Sequence, residues 1–155
     1  MTQPTPRDRQ QRTRDTLAKL AEPAMDVWVS TASGSGSSAE PYLVPLSLAW
    51  VDERVVIAVE GTSRTARNLE SGGTARLGLG PTRDVVVIDA RLERAVRVAD
   101  AADLAERYVQ QADWDPRAVG DSYRFLVLRP ERIQAWREAD EIPGRTLMRD
   151  GTWLA

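Results

Sequence analysis

The sequence predicts a mainly β fold in which an antiparallel sheet closes into a barrel flanked by short helices. The chain has 155 residues, of which 42% are hydrophobic and 28% charged, as is typical of one globular domain. Roughly six segments alternate with the period of two typical of strands, and most are joined by loops of hairpin length. Helical patterns occur at three points only, whereas every parallel strand pair would need a long crossover.

The first 24 residues are predicted to form an N-terminal tail and a helix, ahead of a barrel domain over residues 25–155. The tail covers residues 1–6, which are polar and contain two prolines. The helix is predicted over Arg7–Ala21, where two leucines three positions apart share a face and a proline follows shortly after.

Strand patterns then recur along the rest of the chain. They cover Asp26–Ser33, Pro41–Trp50, Arg54–Glu60, Thr74–Gly80, Asp84–Val98, Tyr123–Leu128 and Arg132–Arg137, with a last short strand around Asp150–Gly151. Val27, Val29 and Thr31 share one side of the first strand. Pro45 has no N–H to donate to a neighbouring strand, as a residue in a central strand must. Its strand is therefore expected at the edge of the sheet or at an irregularity.

Two further helices interrupt the strands. Gly61–Gly73 breaks the period of two, begins with a capping-type Thr-Ser pair and ends at two glycines, which predicts one short helix. Asp100–Gln111 predicts another, because Leu104 and Tyr108 fall on one face.

The start of the Gly61–Gly73 helix is the candidate anion site. A helix N-terminus offers unpaired N–H groups and a partial positive charge, which suit a phosphate group. Ser63 and Thr65 add hydroxyl groups, Arg64 and Arg67 share a helix face, and Asn68 lies in the same turn. The same residues also fit an ordinary capped helix with two solvated arginines, and the spacing leaves both interpretations open.

Small side chains mark one face of the strand before that helix. Pro45, Ser47 and Ala49 alternate there, so a flat ring or an extended polyol could approach the backbone closely. The alternative is that this face packs against the sheet or against another subunit.

Composition excludes several functions. The chain has no cysteine and no histidine, which rules out disulfides, thiolate nucleophiles and Ser-His triads, and we expect no metal site. A net charge of −2 is unsuited to binding the negatively charged phosphate backbone of a nucleic acid. No apolar segment approaches the roughly 20 residues of a membrane span, and the N-terminus lacks the apolar region of a secretory signal. We therefore expect a cytoplasmic protein that binds neither nucleic acid nor membrane.

Several motifs occur in a recognisable order. A strand containing VPLSLAW is followed by VVIAVE, by the helix SRTARNL, by the strand ARLGLG and by TRDVVVIDARLE. This order resembles that of the pyridoxamine 5′-phosphate oxidase-like, FMN-binding split-barrel family, particularly its actinobacterial members, over about Met25–Arg97.

The resemblance implies a six-stranded split barrel and a homodimer with flavin mononucleotide (FMN) at the subunit interface. The residues it implies for the phosphate are Ser63, Arg64, Thr65, Arg67 and Asn68. Those it implies for the ribityl chain and ring are Val44, Pro45, Leu46 and Ser47, acting through their backbone. Arg83 and either Trp136 or Trp153 are candidates at the interface, although rim and core packing is the alternative for each.

The predicted function is an oxidoreductase that transfers hydride to or from a small organic substrate. The alternatives are a reductase of the same fold using the deazaflavin coenzyme F420, a non-catalytic flavin-binding protein, and a dimeric interaction module without a cofactor. The C-terminal region lacks a second phosphate clamp, which argues against vitamin B6 oxidation. No acid or base residue is assigned, and Asp84 and Asp89 are expected to be solvated or ion-paired.

Overall fold

Nine strands and three α-helices make up the described part of the chain. The computed structural model describes residues 5–155, so residues 1–4 of the predicted tail lie outside the described residues. The helices are α1 (Arg9–Ala21), α2 (Arg64–Gly72) and α3 (Ala102–Gln111). The strands are β1 (Asp26–Ser33), β2 (Glu40–Ser47), β3 (Ala49–Val51), β4 (Arg54–Glu60), β5 (Thr74–Leu79), β6 (Val85–Arg97), β7 (Tyr123–Trp136), β8 (Thr146–Arg149) and β9 (Thr152–Trp153).

All the strand pairs are antiparallel, and the sheet curls until its two ends meet. The strand order is β2-β1-β5-β6-β7-β4-β3, with β8 added to β7 and β9 to β8. The two end strands, β2 and β3, are separated in sequence only by Leu48. Since one residue joins the ends of the sheet, the sheet must close on itself, which confirms the predicted mainly β, barrel-like fold.

The break at Leu48 is the reason that the Pro41–Trp50 segment forms two strands and not the single one predicted. Leu48 and Ala49 are both fully buried, so the alternation stops there and the chain turns into the core. The N–H of Leu48 donates to the carbonyl of Met25 at 3.2 Å. β2 lies at the end of the strand order, as Pro45 predicts for an edge strand.

The segments Tyr123–Leu128 and Arg132–Arg137, predicted as two strands, form the single long strand β7. Pro130 lies at a register shift: Ala90 pairs with Pro130 while its neighbour Asp89 pairs with Arg132. The β-bulge at this point accommodates the proline, which has no N–H to donate to the ladder, and the strand continues past it. The last predicted strand is a hairpin, in which β8 and β9 flank a turn at Asp150–Gly151.

Two hydrophobic clusters hold these elements together. One fills the barrel and contains Val55, Ile57 and Val59 of β4. The other lies under α3, where Val56 and Ala58 of the same strand pack. β4 is therefore buried on both faces, because α3 covers the outside of the barrel at this point. Tyr108 of α3 is fully buried here, and its burial raises its pKa to about 12.

The N-terminal helix α1 begins at a side-chain cap and packs on the barrel through its buried face. The carboxylate of Asp8 accepts a hydrogen bond from the N–H of Gln11 at 2.7 Å, so the helix begins at Arg9 and not at Arg7 as predicted. Its buried residues are Arg12, Thr16 and Leu20. No helix within residues 5–155 has the length and apolar character that crossing a membrane would require.

Candidate functional site

The helix α2 begins where the sequence predicts a cap. The hydroxyl of Ser63 accepts from the N–H of Ala66 at 3.2 Å, and the helix ends at Gly73, whose φ of 77° is left-handed. Within the described residues, the N–H groups of Arg64 and Thr65 find no acceptor. The start of α2 therefore offers two free main-chain donors.

A pocket of about 280 Å³ opens at the start of α2. β2, β4 and α2 meet there with the connection that follows α3 and with the start of β7. Its lining residues are Tyr42, Val44, Leu46, Ala58, Val59, Glu60, Ser63, Thr65, Trp114 and Tyr123. Four of the predicted cofactor residues thus face one cavity: Val44 and Leu46 on its apolar side, and Ser63 and Thr65 on its polar side.

The two predicted arginines lie at the rim of this pocket and on the outside of α2. The guanidinium carbon of Arg64 lies 5.5 Å from the ring centre of Tyr42, which lines the pocket. Arg67 is exposed one turn further along. Neither arginine pairs with a carboxylate of residues 5–155, so both charges are available to an anion.

Asn68 points away from the pocket. It is 6% exposed, and its amide donates to the hydroxyl of Thr31 on β1 at 3.1 Å. This bond fixes α2 against the barrel, so the structure gives Asn68 a direct role in orienting the helix.

Pro45 and Ser47 do not line the pocket. On β2, Tyr42, Val44 and Leu46 are half-buried while Pro45 is exposed on the opposite face, where it pairs with Trp28. Side chains alternate along a strand, so Pro45 and Ser47 cannot share the face of Val44 and Leu46. They remain predicted contacts through their main chain.

Arg83 and Trp136 lie far from α2 within one chain. Arg83 forms hydrogen bonds of 2.7–2.9 Å to Glu138, and Trp136 carries the guanidinium of Arg145 at 5.3 Å above its ring. Trp136 and Tyr123 are the two ends of β7, roughly 40 Å apart along the strand at about 3.3 Å per residue. The indole N–H of Trp153 donates to Glu53 at 3.2 Å, also outside the pocket.

The two aspartates expected to be solvated or paired are both ion-paired. Asp84 lies 2.7 Å from the ammonium group of Lys19, and Asp89 lies 2.7 Å from the guanidinium of Arg76. Neither lines the pocket at α2.

Sequence reasoning missed the aromatic and acidic side chains of the pocket. Trp114 and Tyr123 pack edge to face with ring centres 5.6 Å apart. Trp114 lies in the connection after α3, where no periodic pattern marks it. Glu60 is the last residue of β4, and its carboxylate accepts from the hydroxyl of Ser122 at 2.9 Å. The position of Glu60 just before α2 is the one feature of the sequence that could have indicated its place in the pocket.

Comparison with known proteins identifies the fold. No protein-family model matches the chain, and no curated protein does. Many solved structures are similar to it, and three of them illustrate the range. An F420 reductase has 16% identity and a TM-score of 0.58, with 75% of this chain and 94% of that chain covered. A heme binding protein from Mycobacterium smegmatis has 15% identity and a TM-score of 0.65 over 97% of this chain and 60% of that chain. A pyridoxamine 5′-phosphate oxidase-related, FMN binding protein from Nostoc punctiforme has 8% identity and a TM-score of 0.53, with 82% and 79% covered.

Proposed function

Because the chain has the split β-barrel fold of proteins related to pyridoxamine 5′-phosphate oxidase, we propose that it binds a phosphate-bearing flavin-type cofactor at the start of α2. FMN is the first candidate, and the proposed activity is that of an oxidoreductase acting on a small organic substrate. The observation that carries this proposal is the shared cavity: the capped start of α2 and the apolar face of β2 line the same pocket.

The polar end of the pocket fits a phosphate group. The free N–H groups of Arg64 and Thr65 and the hydroxyls of Ser63 and Thr65 are donors, and the helix adds a partial positive charge. The guanidinium of Arg64 is held at the rim by the ring of Tyr42. Glu60 also lines this pocket, and its negative charge works against anion binding there; its carboxylate accepts a hydrogen bond from the hydroxyl of Ser122.

The apolar end fits a flat ring. Val44 and Leu46 present an aliphatic surface, and Trp114 with Tyr123 supplies aromatic surface in the same cavity. A bound flavin supplies hydride transfer at its ring, chemistry that needs neither histidine nor cysteine from the protein. In this proposal the chain anchors the phosphate, holds the ring against β2 and limits the access of water through the two aromatic residues.

The deazaflavin F420 is the second candidate, because the F420 reductase shares the fold over three quarters of this chain. A heme site has less support, since the chain contains neither histidine nor cysteine, the usual axial ligands. A flavin-binding protein without catalysis and a dimeric interaction module without a cofactor are the remaining alternatives.

We further propose that the protein is a homodimer. Trp28 is 53% exposed and Leu43 is 58% exposed. They lie on neighbouring strands of the same sheet face, next to Pro45 and Pro41. An exposed apolar patch of this kind on a sheet edge is suited to burial against a second copy. A second copy could also bring distant residues such as Arg83 and Trp136 toward the cofactor.

Two measurements test the cofactor. Absorbance and mass spectra first identify any ligand that co-purifies with the protein. The ligand-stripped protein is then titrated with FMN, F420 and riboflavin, and binding is monitored by fluorescence. Riboflavin is the matched control, because it has the ring and ribityl chain of FMN but no phosphate. We expect FMN to bind at least tenfold more tightly than riboflavin. Equal affinities would refute a phosphate site at α2, and tighter binding of F420 than of FMN would favour the deazaflavin candidate. Turnover with the bound cofactor then separates the catalytic proposal from the non-catalytic one.

A further inference from the structure

A second cleft, remote from α2, is lined by four arginines. It has a volume of about 440 Å³ and lies where the start of α1 meets β7, β8 and the C-terminal residues. Arg9 comes from α1, Arg132 from β7, Arg149 from β8, and Arg145 from the segment just before β8. No aspartate or glutamate lines it.

These arginines differ from most others in the described chain. Arg54, Arg76 and Arg83, for example, each pair with a carboxylate at 2.7–2.8 Å. Within residues 5–155, none of the four cleft arginines pairs with an aspartate or glutamate side chain, and only the guanidinium of Arg9 has an oxygen partner, at Ala155. The chain carries 23 acidic against 21 basic residues, so an all-basic cleft is a local concentration of positive charge. Like charges gathered with no acidic side chain among them repel each other, and a bound anion relieves that repulsion.

The groups of this cleft are held in place by the fold. The carbonyl of Arg145 accepts from the N–H of Ala135 on β7 at 3.0 Å, and its guanidinium packs over the ring of Trp136. The amide of Gln134 donates to the hydroxyl of Thr146 at 3.2 Å, which ties β7 to β8. Arg9 uses one donor on the main-chain oxygen of Ala155, which leaves further donors of its guanidinium for a ligand. Arg145 and Arg9 are therefore partly ordered before a ligand binds, which lowers the entropic cost of binding at these two positions.

The cleft also has an apolar part. Ile142, Pro143 and Leu154 line it beside the arginines, and Ile142 is 43% exposed. Guanidinium groups bind carboxylates and phosphates through paired hydrogen bonds, while aliphatic side chains contact a carbon skeleton. We propose that this cleft is a second binding site, for a small molecule that carries two or more carboxylate or phosphate groups.

This site is separate from the proposed cofactor site. Tyr123 lines the pocket at α2, whereas Arg132 and Gln134 line the arginine cleft. At about 3.3 Å per residue these positions are roughly 30 Å apart along β7. The inference therefore stands without the cofactor proposal.

The test is calorimetric titration of the full chain with pyrophosphate and with citrate at low ionic strength. The double variant Arg132→Gln/Arg149→Gln removes two cleft charges. Arg14→Gln/Arg94→Gln is the matched control, because it removes two exposed arginines that have no carboxylate partner and lie outside the cleft. Arg64→Gln/Arg67→Gln removes the two charges at α2.

We expect at least one polyanion to bind the unmodified chain, with at least tenfold weaker binding to the cleft variant and unchanged binding to the Arg14/Arg94 control. The α2 variant is expected to retain binding at the cleft. Tighter binding of pyrophosphate indicates a phosphorylated ligand, and tighter binding of citrate a polycarboxylate. Absence of binding by both overturns the proposal. So does an equal loss in the Arg14/Arg94 control, which would indicate nonspecific charge attraction, or a loss in the α2 variant only, which would place the anion at the cofactor site.

Discussion

The guanidinium of Arg7 donates two hydrogen bonds to the carboxylate of Glu141, one of 3.0 Å from Nε and one of 2.7 Å from Nη2. The carboxylate also accepts from the N–H groups of Arg7 and Arg137, and Glu141 is only 2% exposed. Arg7 in turn donates to Asp15 of α1 at 3.0 Å. One buried ion pair therefore joins the N-terminal helix to the segment between β7 and β8, beside the arginine cleft.

Glu141→Gln is expected to lower the free energy of unfolding by about 1.5–3 kcal/mol, because it removes the charge of the buried acceptor and leaves Arg7 with only Asp15 and Asp84 as carboxylate neighbours. Chemical denaturation monitored by circular dichroism measures this change. Glu138→Gln is the control, since the Glu138 carboxylate pairs with Arg83 where both side chains are largely exposed. No measurable change is expected there. Equal effects of the two substitutions would contradict the special contribution of the buried pair.

The same ion pair predicts acid sensitivity. Hydrogen bonds from Arg7 hold the pKa of Glu141 at about 2, against an ordinary value of 4.5. As the pH falls below 4.5 the unfolded chain takes up this proton first, so stability is lost progressively between about pH 4.5 and pH 2. Asp15 adds to the loss in the same direction: burial raises its pKa, but hydrogen bonds from Arg7 and Gln11 leave it below the ordinary value.

Denaturation midpoints measured from pH 7 to pH 2 check this expectation. The stability difference between the unmodified chain and Glu141→Gln is expected to be constant above about pH 5 and to shrink as the pH falls toward 2. A difference that stayed constant over the whole range would show that Glu141 does not carry the acid sensitivity.

Arg64→Ala/Arg67→Ala is expected to weaken FMN binding by about 1.5–3 kcal/mol for each charged hydrogen bond that is lost. Neither side chain has a carboxylate partner in residues 5–155, so the thermal unfolding temperature should not change. Fluorescence titration measures the affinity, and Arg94→Ala is the control for loss of an exposed arginine. Unchanged FMN affinity in the double variant would refute the phosphate assignment to α2.

Trp28→Ser/Leu43→Ser is expected to convert the proposed dimer into a monomer. The two substitutions remove the largest exposed apolar side chains of the β1–β2 face. Size-exclusion chromatography with light scattering measures the mass of each form. Val119→Ser removes an apolar side chain that is 51% exposed outside this face and should leave the mass unchanged. A monomeric unmodified chain, or a dimeric double variant, would contradict the proposal.

Predictions that depend on neighbours in sequence agree closely with the structure. Val27, Val29 and Thr31 share the buried side of β1, because alternation along a strand is a property of the chain itself. Ser63 caps α2 and Gly73 ends it, since both effects act within one helical turn. The edge position of β2 follows from Pro45 for the same reason: the missing N–H is local.

Predictions that depend on pairing were less complete. The bend at Leu48 requires the two ends of the sheet to meet, and the continuity of β7 through Pro130 requires a bulge opposite Ala90. The local sequence pattern indicates neither that the ends of the sheet meet nor which residue lies opposite the bulge. Trp114 reaches the pocket at α2 because α3, which it follows, packs on the outer face of β4. Tyr123 reaches it because β7 pairs with β4 opposite Glu60.

The sequence by itself determined the mainly β class, the cap and stop of α2, and the placing of two hydroxyls and two arginines at the start of that helix. These features arise from dihedral preferences, side-chain periodicity and hydrogen bonds between residues a few positions apart. Only the tertiary structure decided which side chains share a cavity with α2, that Asn68 binds Thr31, that Arg7 finds Glu141, and that four arginines converge in a second cleft. Contacts between distant residues depend on how the barrel closes, and strand pairing over long separations leaves no periodic mark in the chain.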